Sequence, residues 1–288
     1  MKQHKGYLVS IGGAEDKSEQ QSEDKENSLD FLESGILKNV VELMQGKEPS
    51  IEVITTATAR PDESFRNYKE AFEQLGCVHV GHLDLRDREA ANEEAVMERI
   101  RNCNGVMFSG GDQARLSAVL GGSLLCRTLK QRYQQEHFVI AGTSAGAAAM
   151  SAAMMNGGST EKANLKGEID LSIGFGFISD VIIDTHFDAR GRFARLVQAV
   201  AAQPGLLGIG LGEDTGVVVE KGSMLRAIGS SSVTIIDGTK AQYNNIADIK
   251  PGAPISIGML GVYQLAHSDC FDLVNRTFIP VGFAAHQN

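Results

Sequence analysis

The chain has 288 residues, 42% of them hydrophobic, which is enough to bury the core of one large α/β domain. Its formal net charge is -9, so its average field repels a phosphate backbone and argues against nucleic acid as a partner. No apolar run reaches the roughly 20 residues of a membrane span, and residues 1–6 lack the apolar stretch of a secretory signal. We therefore expect a cytoplasmic chain without a membrane partner.

Short β-branched runs alternate with helical patterns along the first two thirds of the chain. The predicted strands are residues 7–11, 51–55, 78–85, 105–108, 138–141 and 181–186. The predicted helices are residues 28–44, 62–75, 90–103, 113–120, 124–136 and 191–203, with polar loops at 15–27 and 157–170. This alternation predicts βαβ units and a mostly parallel sheet covered by helices on both faces, an α/β fold.

The pattern changes after residue 205. Strand-like runs at 207–211, 215–220, 225–228, 233–236 and 255–265 are separated by Gly, Ser, Asp and Pro turn signals, with no helical pattern between them. We expect a β-rich C-terminal part, about residues 206–288, within a single α/β domain that spans residues 1–288.

Residues 142–146 read Gly-Thr-Ser-Ala-Gly and follow the apolar run 138–141. The small-residue stretch 147–155 comes next, which predicts a strand, a sharp turn and a helix. A serine at such a turn projects its hydroxyl beyond the end of the sheet, as in a nucleophile elbow. Ser144 is therefore the candidate nucleophile.

A serine nucleophile needs a general base, normally an imidazole that is oriented by a carboxylate. Of the seven histidines, His186 lies at the end of a clear parallel-type strand and just before a helix, where α/β sheets collect their chemistry. Glu213 and Asp214 follow another strand, and either could orient His186. The glycines at 208, 210 and 212 do not form a dinucleotide loop, because Glu213 occupies the position of the third glycine in that motif.

Backbone N–H groups near the elbow can form an oxyanion hole. Gly111 follows the strand 105–108, and Ala145 directly follows the candidate nucleophile. We expect both N–H groups to bind the acyl oxygen. The four cysteines, Cys77, Cys103, Cys126 and Cys270, are isolated in the sequence and are expected to be reduced thiols. We predict no cofactor and no metal.

Three arginines, Arg190, Arg192 and Arg195, follow the candidate base. A guanidinium group matches the planar geometry of a carboxylate, so the cluster predicts a substrate rich in carboxylates. The alternative is a solvated basic helix start.

Five motifs in this order resemble the cyanophycinases, serine peptidases of the family that also contains α-aspartyl dipeptidase (peptidase E). The motifs are Ile11-Gly12-Gly13-Ala14-Glu15-Asp16-Lys17, Gly110-Gly111-Asp112-Gln113, Gly142-Thr143-Ser144-Ala145-Gly146-Ala147, Asp184-Thr185-His186-Phe187 with the three arginines, and Gly208-Ile209-Gly210 with Glu213-Asp214-Thr215. The resemblance covers most of residues 7–220.

The resemblance implies a three-layer flavodoxin-like or class I amidotransferase-like sheet, a homodimer, and exopeptidase cleavage of cyanophycin to β-Asp-Arg dipeptides. It implies Ser144 as nucleophile, His186 as base and Glu213 as the orienting acid. It also implies a substrate pocket that is lined by Gln113, Asp184, Thr185, Arg190, Arg192 and Arg195. Cyanophycinases carry glutamine where this chain has Thr185, and many relatives carry aspartate where it has Gly212.

Two alternatives remain open at this point. An α-aspartyl dipeptidase would share the elbow and the base, but that group is typically shorter and the three-arginine run favours a cyanophycinase. A non-catalytic or amidotransferase-like domain would bind a partner instead. Amidotransferases need a cysteine at the elbow, where this chain has Ser144. A domain that only binds a partner should have lost a member of the triad, whereas this chain has the serine, the histidine and the carboxylate.

Overall fold

The computed structural model describes residues 4–23 and 29–281. Most strands belong to two sheets. In spatial order, the nine-stranded sheet consists of Thr277–Ile279 (β17), Cys270–Asp272 (β16), Met224–Gly229 (β11), Thr215–Glu220 (β10), Tyr7–Ile11 (β1), Val139–Thr143 (β5), Gly105–Phe108 (β4), Ser50–Ile54 (β2) and His79–Leu83 (β3). The strands from β1 to β3 in this order are mutually parallel, whereas β10, β11, β16 and β17 pair antiparallel.

The second sheet has six strands. In spatial order these are Gly261–Leu265 (β15), Val233–Asp237 (β12), Leu207–Leu211 (β9), Ile178–Asp184 (β8), Ser151–Gly158 (β6) and Ile169–Ile173 (β7). Its central strands β6, β8 and β9 are parallel, and the outer strands pair antiparallel. Tyr243–Asn244 (β13) and Ile257–Gly258 (β14) form a separate two-stranded ribbon.

Helices cover the sheets in the part of the chain that is described. They are Glu19–Glu23 (α1), Ile36–Leu43 (α2), Pro61–Gln74 (α3), Glu94–Asn102 (α4), Gln113–Leu120 (α5), Leu124–Gln135 (α6), Ala145–Ala148 (α7) and Phe193–Ala202 (α8). Proline at the first position of α3 starts this helix without losing a hydrogen bond. Tyr68, Ala71 and Phe72 are buried on one face of α3, at the spacing of an amphipathic helix.

Both faces of the parallel strands are buried. On β1, Leu8 belongs to the apolar cluster that includes residues of α4 and α6, whereas Val9 belongs to the cluster that includes residues of α2 and α3. On β5, Ile140 and Ala141 divide between the two clusters in the same way. Alternate side chains of a strand point to opposite faces, so helices on both sides explain why these strands are apolar throughout.

The segment after the elbow differs from the prediction. A helix was expected over 147–155, but α7 ends at Ala148 and β6 begins at Ser151. Met154 pairs with Ile183 of β8 and with Ser172 of β7, so the segment lies inside the second sheet. Pairing on both sides outweighs the local helix preference of the alanines and methionines in this segment. The loop predicted over 157–170 accordingly contains the end of β6 and the start of β7.

The helix predicted over 28–44 is shorter, because α2 begins only at Ile36. The Asp30 carboxylate accepts hydrogen bonds from the backbone N–H groups of Leu32 and Glu33. This local turn competes with a helical start. Residue 28, where the predicted helix begins, lies outside the described residues.

The predicted α/β class is confirmed, and the C-terminal strands extend existing sheets. Strands β10, β11, β16 and β17 continue the nine-stranded sheet, while β12 and β15 continue the six-stranded one. The assignment of residues 1–288 to one domain stays a prediction. No helix within the described residues is long and apolar enough to cross a membrane.

Candidate active site

Ser144 occupies a strained turn directly after β5. Its φ is 51° and its ψ is -111°, a region that residues with a side chain rarely adopt. The two glycines of the motif permit the turn, because a Cβ on Gly142 would lie 2.8 Å from the carbonyl carbon of Gly146 and a Cβ on Gly146 would lie 2.6 Å from the Phe108 oxygen. The strand-to-helix geometry of the predicted elbow is therefore present, although its helix is short.

Ser144, His186 and Glu213 form a continuous hydrogen-bonded chain. The Ser144 Oγ lies 3.0 Å from Nε2 of His186, and Nδ1 of His186 lies 2.6 Å from Oε1 of Glu213. A carboxylate only accepts, so Nδ1 carries a proton and Nε2 of the neutral ring is free to accept from the serine. This is the arrangement that a serine nucleophile and its general base require.

The other candidate acids have different partners. Oδ2 of Asp214 accepts a hydrogen bond from Ser230 Oγ at 2.7 Å, and Asp184 is bound by arginines. Of the three carboxylates considered, Glu213 is the one that contacts the imidazole. The geometry therefore favours Glu213 for the role that the family resemblance implied.

The triad is assembled from both sheets. Ser144 follows β5 of the nine-stranded sheet, whereas His186 and Glu213 follow β8 and β9 of the six-stranded sheet. Three successive carbonyls at the end of β1 connect these loops. Those of Ile11, Gly12 and Gly13 accept hydrogen bonds from the backbone N–H groups of Ser144, His186 and Asp214, at 2.9, 2.8 and 2.8 Å.

Gly13 also packs against the His186 ring. A Cβ at this position would lie 2.4 Å from Cε1 and 2.6 Å from Nε2 of His186, and the backbone φ of Gly13 is +114°. Only glycine combines that φ with such a close approach. The Gly-Gly motif near the start of the chain therefore positions the imidazole, a role that the sequence analysis did not assign to it.

The two predicted oxyanion-hole residues lie beside Ser144. Gly111, with φ +142°, lines the same cavity as Ser144 and Ala145. A Cβ on Gly111 would lie 2.2 Å from the Ala57 oxygen, so this sharp turn excludes any side chain. The short helix α7 begins at Ala145, and its first N–H is the donor expected beside an elbow nucleophile.

Two cavities meet at Ser144. The arginine cavity measures about 300 Å³ and is lined by Gly111, Gln113, Ser144, Ala145, Ala148, Met155, Asp184, Thr185, Arg190, Arg192 and Arg195. The helix-side cavity measures about 380 Å³ and is lined by Gly13, Ala14, Glu15, Lys17, Thr58, Arg60, Glu63, Ser64, Asn67, Tyr68, Gly110, Thr143, Ser144 and His186. All six residues assigned to substrate binding from the sequence thus surround one cavity.

Asp184 forms ion pairs with two of the arginines that line the arginine cavity. Its side chain is 2% exposed and receives two hydrogen bonds from Arg195, from Nε at 2.9 Å and from Nη2 at 2.6 Å. Arg192 donates to the same carboxylate at 3.1 Å and to the carbonyl of Thr185 at 2.7 Å. The carboxylate thus orients the guanidinium groups, as expected for a fork-shaped bidentate pair.

Arg192 retains an unused donor. Its Nε is buried and has no hydrogen-bond partner among the described residues. Burial lowers the pKa of the Arg192 guanidinium, and the nearby Asp184 charge only partly offsets this effect. A buried N–H without an acceptor is costly, so this donor is available to an oxygen atom of a ligand or of water.

The remaining pocket residues have distinct environments. Arg190 is exposed, whereas the Thr185 side chain is buried. The Gln113 amide donates to the carbonyls of Asn156 and Met155, at 2.9 and 3.3 Å, which ties the residue to β6. A Cβ on Gly212 would lie 2.9 Å from the Asp188 carboxylate, so an aspartate there would add a like charge.

A buried network on the helix side was missing from the sequence analysis. Glu15 is 3% exposed and accepts hydrogen bonds from Tyr68 Oη and, at 2.6 Å, from Thr143 Oγ1. Lys17 Nζ lies 3.0 Å from the same carboxylate. Burial alone would raise the pKa of Glu15, but Lys17, Thr143 and Tyr68 together hold that pKa below its ordinary value. Glu15 and Lys17 belong to the motif of residues 11–17, but no spacing rule links them to Tyr68 or Thr143.

No group of three or more His, Cys, Asp or Glu side chains within residues 4–23 and 29–281 could hold a metal ion. That the site works without a metal or a cofactor stays a prediction.

Comparisons with known proteins identify the family of the chain. The model of peptidase family S51 matches residues 27–227. A cyanophycinase from Synechococcus elongatus is 36% identical over 270 residues, which cover 94% of this chain and 80% of that protein. Cyanophycinases from Trichormus variabilis and Geminocystis herdmanii are 34% and 32% identical, over 96% and 94% of this chain and 88% and 96% of their own lengths.

Solved structures share the fold. A peptidase from an acI-B1 actinobacterium superimposes with a TM-score of 0.66 at 20% identity and covers 94% of this chain and 98% of its own. A putative peptidase E from Listeria monocytogenes has a TM-score of 0.52 at 16% identity, over 78% of this chain and 99% of its own. These identities support the fold alone. The family match and the sequence relatives confirm the resemblance: the chain belongs to peptidase family S51, is a serine-type peptidase, and within that family is similar to cyanophycinases.

Proposed function

We propose that the chain is an exopeptidase that hydrolyses cyanophycin to β-Asp-Arg dipeptides through the triad Ser144, His186 and Glu213. The observation that carries this proposal is the hydrogen-bonded chain of these three residues, with its serine at the mouth of the arginine cavity. The sequence relatives named above carry the name of this activity.

Acylation begins when His186 Nε2 removes the proton of Ser144 Oγ and the oxygen attacks the scissile carbonyl carbon. The N–H groups of Gly111 and Ala145 stabilise the oxyanion, a contribution of about 2.7 to 4 kcal/mol per donor in related chemistry. Glu213 stabilises the imidazolium. His186 then returns the proton to the leaving nitrogen as the carbon–nitrogen bond breaks, which leaves an ester on Ser144.

Deacylation repeats these steps with water as the nucleophile. His186 removes a proton from the water molecule, whose oxygen attacks the ester carbon. The ester bond breaks, the proton passes from His186 to Ser144 Oγ, and the carboxylic acid product leaves. Atoms and charge balance in both half-reactions, and the proposed scheme uses neither a metal nor a cofactor.

Binding of a carboxylate-rich unit is assigned to the arginine cavity. The unpartnered Nε of Arg192 supplies a buried donor, and Arg190 supplies a guanidinium group at the exposed end. The Asp184 oxygens already accept from Arg192 and Arg195, so we assign Asp184 to positioning these arginines rather than to binding a substrate guanidinium. Gln113 and Thr185 complete the wall of the same subsite.

An α-aspartyl dipeptidase would use the same triad, and the structural neighbour of peptidase E type shares the fold. The test is to incubate the purified protein with cyanophycin, β-Asp-X dipeptides and α-Asp-Leu, and to identify the products by mass spectrometry. Faster release of β-Asp-Arg from cyanophycin than of leucine from α-Asp-Leu is expected. The reverse order would favour the dipeptidase.

Assembly and location are part of the proposal. We expect a homodimer in the cytoplasm, as the family resemblance implied. Light scattering on the purified chain tests the dimer, because a monomer mass at micromolar concentration would contradict it.

A further inference from the structure

The helix-side cavity and the arginine cavity share Ser144 but no other lining residue. His186 lines the helix-side cavity, whereas Gly111 and Ala145 line the arginine cavity. The histidine must protonate the leaving nitrogen, and the oxyanion donors must surround the acyl carbonyl. The acyl unit therefore occupies the arginine cavity, and the leaving unit occupies the helix-side cavity.

One face of α3 forms the far wall of this second cavity. The residues that line it are the N-cap residue Arg60 and, within the helix, Glu63, Ser64, Asn67 and Tyr68, which recur at helical spacing. The opposite wall comes from the loop after β1, which contributes Glu15 and Lys17. The wall is polar and charged, so it suits a charged peptide unit rather than an apolar side chain.

Lys17 is the partly buried cation in this wall. Its side chain is 23% exposed, and its ammonium group lies 5.0 Å from the centre of the Tyr68 ring. Glu15 accepts two hydrogen bonds from it, through the backbone carbonyl at 3.2 Å and the carboxylate at 3.0 Å. An ammonium group has three donors, so one remains for a ligand.

The neighbouring charges are unsuited to the same role. The Glu15 carboxylate already accepts from Tyr68, Thr143 and Lys17. Arg60 is 79% exposed and lies 3.4 Å from Glu63, so it is a cation at the rim. Lys17 is thus held in place by its contacts and faces the space beside the nucleophile.

We infer that Lys17 binds a carboxylate of the leaving unit and thereby selects which peptides are cleaved. This inference rests on the proposed triad chemistry, which defines the leaving side. In a cyanophycin chain the carboxylate has two possible sources, the terminal α-carboxylate of the aspartate backbone and the α-carboxylate of the attached arginine. Both present the same planar anion to the ammonium group.

The test uses a synthetic peptide of two β-Asp-Arg units in three forms: the free acid, the form amidated at the backbone terminus, and the form amidated at the arginine of the leaving unit. The parent protein should cleave one amide with a KM about tenfold higher than the free acid, as expected for a charge-assisted hydrogen bond. The kcat should change little, because the contact exists in both ground and transition states. The amide that is affected identifies the source of the carboxylate.

Lys17→Gln should raise the KM for the free acid about tenfold and abolish the discrimination against that amide. Lys38→Gln is the matched control, because Lys38 is 29% exposed, pairs with Glu42 and does not line either cavity. Lys17→Arg keeps the charge and should keep most of the discrimination. Thermal unfolding of each variant verifies that it is folded.

Equal KM values of the parent protein for all three peptides would overturn the inference, even if Lys17→Gln failed to fold. So would unchanged discrimination in a folded Lys17→Gln protein. If the parent cleaves none of these peptides, the proposed substrate is wrong, and the same comparison is made between α-Asp-Leu and its amide. A parent preference for the acid that Lys17→Gln removes would then support Lys17 on a different substrate.

Discussion

The triad and the arginine cluster lie side by side but are positioned in different ways. Ser144 and His186 have positive φ angles and are held by backbone hydrogen bonds to Ile11 and Gly12. Arg192 and Arg195 are instead held by ion pairs to Asp184. Reacting groups fixed through the main chain can lose their side chains without loss of the fold, whereas a cluster fixed through buried charges cannot.

The two carboxylates of these regions show the same contrast. The Glu213 side chain is 43% exposed, whereas that of Asp184 is 2% exposed. Removal of the charge from Glu213 leaves an imidazole that can be neutral, while its removal from Asp184 leaves two largely buried guanidinium groups without their counter-charge. Activity and stability should therefore respond separately to substitutions in the two regions.

The largest expected effect is on turnover by Ser144→Ala. Loss of the nucleophile should lower kcat about a million-fold, as in other serine peptidases, because no other group at the site can form the acyl ester. The midpoint of thermal unfolding should stay close to that of the parent, since the turn is held by its backbone. A variant with turnover within tenfold of the parent would exclude Ser144 as nucleophile.

The next effect separates the candidate acids. His186→Ala should cost about as much as Ser144→Ala, and Glu213→Gln should lower kcat by about 10⁴-fold, because an amide does not stabilise the imidazolium. Asp214→Asn is the control, since the Asp214 carboxylate accepts a hydrogen bond from Ser230, whereas the Glu213 carboxylate contacts the ring. If steady-state kinetics gave a lower kcat for Asp214→Asn than for Glu213→Gln, the role of the acid would pass to Asp214.

For stability the order should be the reverse, because Asp184→Asn should lower the free energy of unfolding more than Glu213→Gln does. The loss of one partner of a buried ion pair costs about 3 to 5 kcal/mol of unfolding free energy, because the arginines stay buried and uncompensated. Urea unfolding measures this cost. Glu213→Gln in the same assay should stay within about 1 kcal/mol of the parent, and equal losses in both variants would remove the distinction between the regions.

Gly13→Ala should impair catalysis with a modest stability cost. Its new Cβ would displace the His186 ring, and a displacement of about 1 Å can lower kcat about a hundredfold. Gly46→Ala is the matched control, because Gly46 has the same φ of +114° but a Cβ added there would meet no atom within 4 Å. Both variants bear the strain of alanine at positive φ, so a similar kcat in the two would contradict a positioning role for Gly13.

The smallest effect concerns the pH dependence of stability. Because the folded pKa of Glu15 is depressed, this group stabilises the fold above its unfolded pKa, and that contribution is lost as pH falls through the folded pKa. Glu15→Gln should therefore flatten the acid side of the stability profile, measured by urea unfolding from pH 7 downward. An unchanged acid slope would show that other carboxylates govern acid unfolding.

Local patterns predicted much of the fold. The strands of the parallel core and the helices α3, α5, α6 and α8 lie close to their predicted positions, because each has a continuous apolar period and a turn signal at its end. The elbow could also be predicted from a local pattern, since local backbone geometry requires its glycines. The segment after Ser144 was predicted wrongly as a helix, because its alanines and methionines favour a helix locally, whereas pairing with the neighbouring strands decides its conformation.

The residues of the candidate site could be predicted one by one, as side chains at strand ends. Their arrangement in space could not be predicted. Sequence motifs determined that a serine elbow, a histidine, a carboxylate and an arginine run were available. The tertiary structure decided that the serine comes from one sheet and its partners from another, that Glu213 rather than Asp184 or Asp214 reaches the ring, and that Glu15 and Lys17 meet α3. These contacts join residues far apart in the chain, and no periodic pattern encodes a distance between two sheets.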